Sequence, residues 1–95
     1  MENSPYTVYR KEIDQIDNEI LSLLNRRALL ALKIGELKRI RKEAIHVPER
    51  EVAILQGLRS LNSGPLSGDA VEEIFQTIIK QVRGLEEIKH KEGGN

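Results

Sequence analysis

The sequence predicts an all-α domain of three helices per chain, with a very long first helix that needs a second copy for part of its packing. Three observations carry this prediction. Leu, Ile, Glu, Lys and Arg dominate the composition, and the 95 residues include only three aromatics and no cysteine, a helix-rich usage. Pro and Gly are sparse, and between Pro5 and Pro48 the only breaker is Gly35. Apolar residues recur at alternating steps of three and four, the spacing of one helix face.

The first helix is predicted from about residue 5 to about residue 42. Ser4 suits the N-cap, and Pro5 suits the first helical position, where its missing N–H leaves no bond unmade. Positions 13, 16, 20, 23, 27, 30, 34 and 37 read Ile, Ile, Ile, Leu, Arg, Leu, Ile and Leu, seven of eight apolar. The basic stretch Lys38 to Lys42 then falls at the negative end of the helix dipole. A second helix is predicted from Pro48 to about 62, with Val52, Leu55, Leu58 and either Leu61 or Ile54 inward. Asn62-Ser63-Gly64-Pro65 reads as a loop. The third helix is predicted from about 67 to 90, capped by Ser67 or Asp69, with Asp69 and Glu72 fitting a capping box loosely. Its inward positions are Val71, Ile74, Phe75, Ile78, Ile79, Val82 and Leu85. Residues 91–95 are expected to fray, and 1–95 as a whole to form a single domain.

Length turns this pattern into a prediction about assembly. A helix of about 38 residues is roughly 57 Å long, whereas a compact chain of this size has a diameter of only about 32 Å. The overhanging apolar seam requires a partner, most simply a second copy with the two long helices packed together.

Composition excludes several function classes. Lys plus Arg and Asp plus Glu both total 15, a net charge of zero, which argues against a nucleic-acid binder. Without cysteine there is no disulfide, thiolate nucleophile or cysteine-based zinc site, and His46 and His90 are too far apart in sequence to suggest a His-rich metal site. The longest apolar run, Ala28 to Leu32, has five residues, too few for a membrane span or a signal peptide. The expectation is a cytoplasmic protein with no membrane partner and no cofactor.

The informative residues break the apolar pattern. Arg27 occupies a core position of the long helix among Leu23, Leu24, Leu30 and Ala31. Lys38 lies 11 residues on, which returns it to within about 20° of the same face. Glu86 continues the stripe of Phe75, Ile79 and Val82, and Glu51 shares the face of Leu55 and Leu58 with Arg50 beside it. A lone Arg in such a seam often snorkels to water or fixes register in an oligomer, and each of the other three also has a surface reading. Taken together, charges on all three helices point to a polar pocket for a small anion, because an unpaired buried charge costs several kcal/mol. Arg10 lies about 25 Å along the helix from Arg27 and cannot share its pocket within one chain. If two long helices pair antiparallel and cross near residue 21, Arg10 of one falls between Arg27 and Lys38 of the other.

These residues also form a familiar order. The run from Tyr9-Arg10 through Ile13-Asp14-Gln15-Ile16-Asp17, then Leu23-Leu24-Asn25-Arg26-Arg27, Ile34-Gly35-Glu36-Leu37-Lys38, Pro48-Glu49-Arg50-Glu51, Ile74-Phe75-Gln76 and Arg83-Gly84-Leu85-Glu86 resembles the all-helical (AroQ-class) chorismate mutases over nearly the whole chain. The resemblance implies an intertwined homodimeric helical bundle that rearranges chorismate to prephenate. That is a unimolecular pericyclic shift needing no nucleophile, metal or cofactor. It also implies roles. Arg27 and the partner copy's Arg10 grip the substrate carboxylates, Lys38 donates to the ether oxygen, and Glu51 accepts from the ring hydroxyl. Arg50 lines the pocket, and Glu86 lies across the ether oxygen from Lys38.

Three departures from the family pattern matter. Glu86 stands where relatives have Gln or Glu, and it donates a hydrogen bond only when protonated. An unperturbed Glu titrates near ~4.3, so desolvation has to raise that value against the pull of the cations. Val47 stands where many relatives have an acidic residue, leaving its backbone N–H to reach the ring hydroxyl. Val82 replaces a frequent Ser and removes a carboxylate donor. Two alternatives remain open: an isochorismate-pyruvate lyase of the same fold, and a noncatalytic dimerisation or regulatory module. The resemblance is compatible with a free-standing enzyme and with a domain fused to another aromatic-pathway enzyme.

Overall fold

The structure, a computed structural model, describes residues 4–93. It is all-helical: α1 spans Pro5–Arg41, α2 Pro48–Leu61 and α3 Gly68–Gly93. The chain divides into two compact units, one through Leu30 and the other from Ala31, so the division falls inside α1.

Local chemistry accounts for the helix ends. Ser4 caps α1, its Oγ accepting the Tyr6 N–H at 3.1 Å and its carbonyl accepting the Thr7 N–H at 3.0 Å. At the other end Lys42 takes a left-handed backbone, φ 60°. There Glu43 N–H donates to the Lys38 carbonyl at 2.8 Å and Lys42 N–H to the Arg39 carbonyl at 3.2 Å, the paired bonds of a Schellman cap. The helix ends at Arg41, next to the expected end at about 42, because Lys42 turns the chain out of the helix.

Val47 precedes α2 with an extended backbone and gives no side-chain cap, and Pro48 opens the helix. Asn62 closes α2 by donating its N–H to the Leu58 carbonyl at 3.0 Å. Its side chain then shapes the loop, donating to the Leu66 carbonyl at 2.7 Å and accepting the Gly64 N–H at 3.1 Å. Of the two caps predicted for α3, Ser67 is used, accepting the Ala70 N–H at 3.0 Å. Asp69 and Glu72, the loose capping-box pair, instead both receive the Arg59 guanidinium, with Glu72 at 3.0 Å. The predicted frayed tail is corrected in part. Residues 91–93 continue α3, where His90 and Lys91 suit the helix dipole and Lys89 pairs with Glu92 at 3.9 Å. Residues 94–95 of that expectation lie outside the described residues.

The unit through Leu30 consists, among the described residues, of a single helical segment, which has nothing within itself to cover its apolar face. The unit from Ala31 combines the last turns of α1 with α2 and α3, which pack on each other. Ile79 is the one buried apolar side chain among the described residues, at 8% exposure. Three side chains expected inward, Val52, Ile74 and Leu85, are exposed, and of the alternatives Leu61 and Ile54 it is Ile54 that is half-buried. Periodicity identified an apolar face there, but a face is buried only where another element covers it.

Candidate active site

The unit that begins at Ala31 carries charged side chains on all three of its helices. Lys38, half-buried in the last turn of α1, donates its ammonium to the Ile45 carbonyl in the α1–α2 connection at 3.2 Å. The Schellman cap uses the carbonyl of the same residue. Lys38 is thus held at both its backbone and its side chain.

Glu51 sits in the first turn of α2, where a carboxylate suits the positive end of the dipole. Arg83 of α3 donates to its Oε2 at 2.6 Å, with both side chains about one-quarter exposed. His46 Nε2 lies 3.5 Å from Oε1, an ion pair when the imidazole is protonated. Sequence reasoning named Glu51 but assigned no role to Arg83 or His46. The only available signal was weak: Arg83 stands three residues before Glu86 and so shares its side of α3.

Glu86 is half-buried and lies against Gly35, the single buried residue of α1. A β-carbon on Gly35 would stand 3.3 Å from Glu86 Oε2. Beside them is a cavity of about 200 Å³ lined by Leu32, Gly35, Glu36, Glu86, Lys89 and His90. The His90 Nε2 is buried with no hydrogen-bond partner. Glu36, on the rim, is held below the usual carboxylate range first by its hydrogen bond to Arg39, 2.5 Å to Oε1.

Val47, Arg50 and Val82 also belong to this unit. Val47 contributes its carbonyl, which accepts the Arg50 and Glu51 N–H groups at 3.1 and 3.3 Å. Arg50 is exposed and Val82 half-buried. Arg10 and Arg27 belong to the other unit: Arg27 is half-buried, and Arg10 lies exposed with its guanidinium carbon 5.5 Å from the Tyr6 ring centroid. Among the described residues no group of three His, Asp or Glu is placed to hold a metal ion, and no helix is long and apolar enough to cross a membrane.

The fold is thus one long and two shorter helices, with Lys38, Glu51 and Glu86 carried one on each. The structure is similar to that of the chorismate mutase (form II) from Thermus thermophilus, with a TM-score of 0.87 and 33% identity over 88% of this chain and 96% of that one. Residues 9–87 match the profile of the family described as chorismate mutase type II, and the chain belongs to that family. It is 36% identical over 78 residues to a chorismate mutase of Methanocaldococcus jannaschii, covering 81% of this chain and 79% of that protein. It is 45% identical over 78 residues to a bifunctional chorismate mutase/prephenate dehydratase of Neisseria gonorrhoeae, covering 82% of this chain and 21% of the relative. A bifunctional enzyme of the same description from Aquifex aeolicus is 47% identical over 81 residues, with 22% of its length covered. The chain therefore spans about a fifth of the length of these bifunctional relatives.

Proposed function

We propose that this chain rearranges chorismate to prephenate, as a step of aromatic amino acid biosynthesis, at two equivalent sites shared across a homodimer. The observation that carries this reading is that the family match over residues 9–87 contains every candidate side chain from Arg10 to Glu86. The site works by restraint and electrostatics. Chorismate carries two carboxylates, and guanidinium groups bind carboxylates bidentately; Arg27 and the partner's Arg10 take this role, with Arg50 supporting them. Holding both carboxylates folds the enolpyruvyl arm over the ring and removes the entropy of finding that conformer.

As the ether C–O bond stretches, negative charge gathers on its oxygen. Lys38 donates from one side and protonated Glu86 from the other, two donors fixed before the charge appears. Glu51, braced by Arg83, accepts from the ring hydroxyl, and the Val47 N–H is a second group within its reach. A binding reading of the Arg27 seam position competes with a register role, and one variant separates them. Arg27→Ala is expected to remain a folded dimer and to lose at least about a hundredfold in kcat/KM; a changed dimer stability with intact turnover would assign Arg27 to register instead.

Support for the homodimer lies in the seam. All seven of its apolar side chains, from Ile13 to Leu37, are 47% to 59% exposed. The reading is tested by the loss of chorismate absorbance at pH 5, 6.5 and 8, with the product identified. Prephenate, formed faster at pH 5 than at pH 8, is the expected result. Turnover of isochorismate to pyruvate and salicylate would mark a lyase, and a folded dimer inert on both substrates would mark a noncatalytic module. A second catalytic domain, as in the bifunctional relatives, fits the same reading: this chain makes the prephenate that such a domain consumes.

A further inference from the structure

Glycine inside a helix is a poor choice where alanine would serve, because it costs backbone entropy and contributes no packing. Gly35 is the only glycine of α1 and the only residue of that helix that is buried. Gly57 and Gly84, also helical, have open space where a β-carbon would stand. At Gly35 the three nearest atoms all belong to one side chain: the β-carbon would lie 3.3 Å from Glu86 Oε2, 3.6 Å from its Cγ and 3.7 Å from its Cβ. The Glu86 side chain thus lies along the α1 backbone at Gly35. Lys38 follows Gly35 by three residues, on the same face and about 4.5 Å further along the axis.

We propose that Gly35 is a positioning residue for the reaction: lacking a β-carbon, it lets the Glu86 carboxyl lie against α1 one turn before Lys38, and so sets where that carboxyl meets the ether oxygen. This rests on the reading of Glu86 as a donor in the site. The closest contact is with the far end of a flexible side chain, so an alanine at 35 is accommodated by moving the carboxyl rather than by parting the helices. A shift of a few tenths of an ångström is small for packing and large for a donor facing a developing charge. The fold therefore tolerates the substitution and the chemistry does not.

The test is Gly35→Ala, alone and in a Glu86→Gln background. The single variant is expected to keep its helicity and a Tm at or above wild type, to lose about fivefold or more in kcat, and to change KM by less than about twofold. The pH at which kcat declines is expected to move, because the carboxyl changes its surroundings. In the Glu86→Gln background the same substitution is expected to have a different effect, since the two residues act as a unit. A wild-type kcat and pH profile in Gly35→Ala would overturn the proposal, as would an equal loss in both backgrounds. A readout independent of turnover is the ¹³C carboxyl resonance of Glu86, assigned by its absence in Glu86→Gln. Gly35→Ala is expected to shift its position and titration midpoint, and an unmoved resonance would overturn the proposal. If the enzyme acted on isochorismate instead, the mutase reading would fail, while this resonance would still decide the role of Gly35.

Discussion

Glu51 shows how one residue's task depends on partners far away in sequence. A carboxylate that accepts from a substrate hydroxyl must hold still, and Arg83 anchors it from α3 at 2.6 Å. Removing Arg83 leaves Glu51 free to change rotamer. Arg83→Ala is expected to raise KM for chorismate several-fold and to lower stability by about 1 kcal/mol, as suits a pair still partly open to water; steady-state kinetics and urea unfolding check both. Arg83 was not legible as a site residue because its partner lies 32 positions away, and only folding brings α2 and α3 together. Lys38, Glu51 and Glu86 were singled out because each breaks an apolar stripe and burying charge is costly, and each is half-buried in the structure. At the exposed extreme is Glu36. Arg39 lowers its pKa, so any stability it adds is present above the unfolded value of about 4.3 and is lost as the pH falls through the lower folded value. Glu36→Gln is expected to lower Tm slightly at pH 7, and that difference is expected to vanish once the pH has fallen below the lowered folded value, read by thermal melts from neutral to acid pH.

At the scale of the element, α1 owes its length to apolar period and sparse breakers, and both are visible in the sequence. Its termination was less legible. No Gly marks the end, and Lys42 takes the left-handed conformation at a cost of about 1 kcal/mol. Lys42→Gly keeps the Schellman bonds and relieves that cost, so urea unfolding is expected to show a gain of about 0.5–1 kcal/mol. The start of α2 has a comparable defect, since Val47 cannot cap. Val47→Asp is expected to add about 1 kcal/mol. In the proposed site the same carboxylate would accept from the ring hydroxyl, so KM is expected to fall as well. The inward faces of α2 and α3 were only half legible. Val52, Ile74 and Leu85 belong to apolar stripes yet are exposed, because a stripe records that a face is to be covered and not which element covers it.

For the whole molecule, the same exposure becomes an argument about assembly. With Ile79 the only buried apolar side chain among the described residues, one chain alone has little core. Covering the seven seam side chains contributes on the order of 10 kcal/mol, comparable to the entire stability of a small domain. Folding and dimerisation are therefore expected to be one transition whose midpoint rises with protein concentration. If the long helices of two copies pair antiparallel and cross near residue 21, Arg10 of one copy falls between Arg27 and Lys38 of the other. Central to this account are two sites, each completed by an arginine from the partner copy. The most direct measurement is chorismate turnover after unfolding and refolding an equal mixture of two variants, Arg10→Ala and Arg27→Ala, each nearly inactive alone. Half of the random dimers then pair the two variants, and each such dimer holds one site with both arginines intact. The account predicts recovery of about a quarter of wild-type activity; a refolded mixture no more active than its components would contradict it.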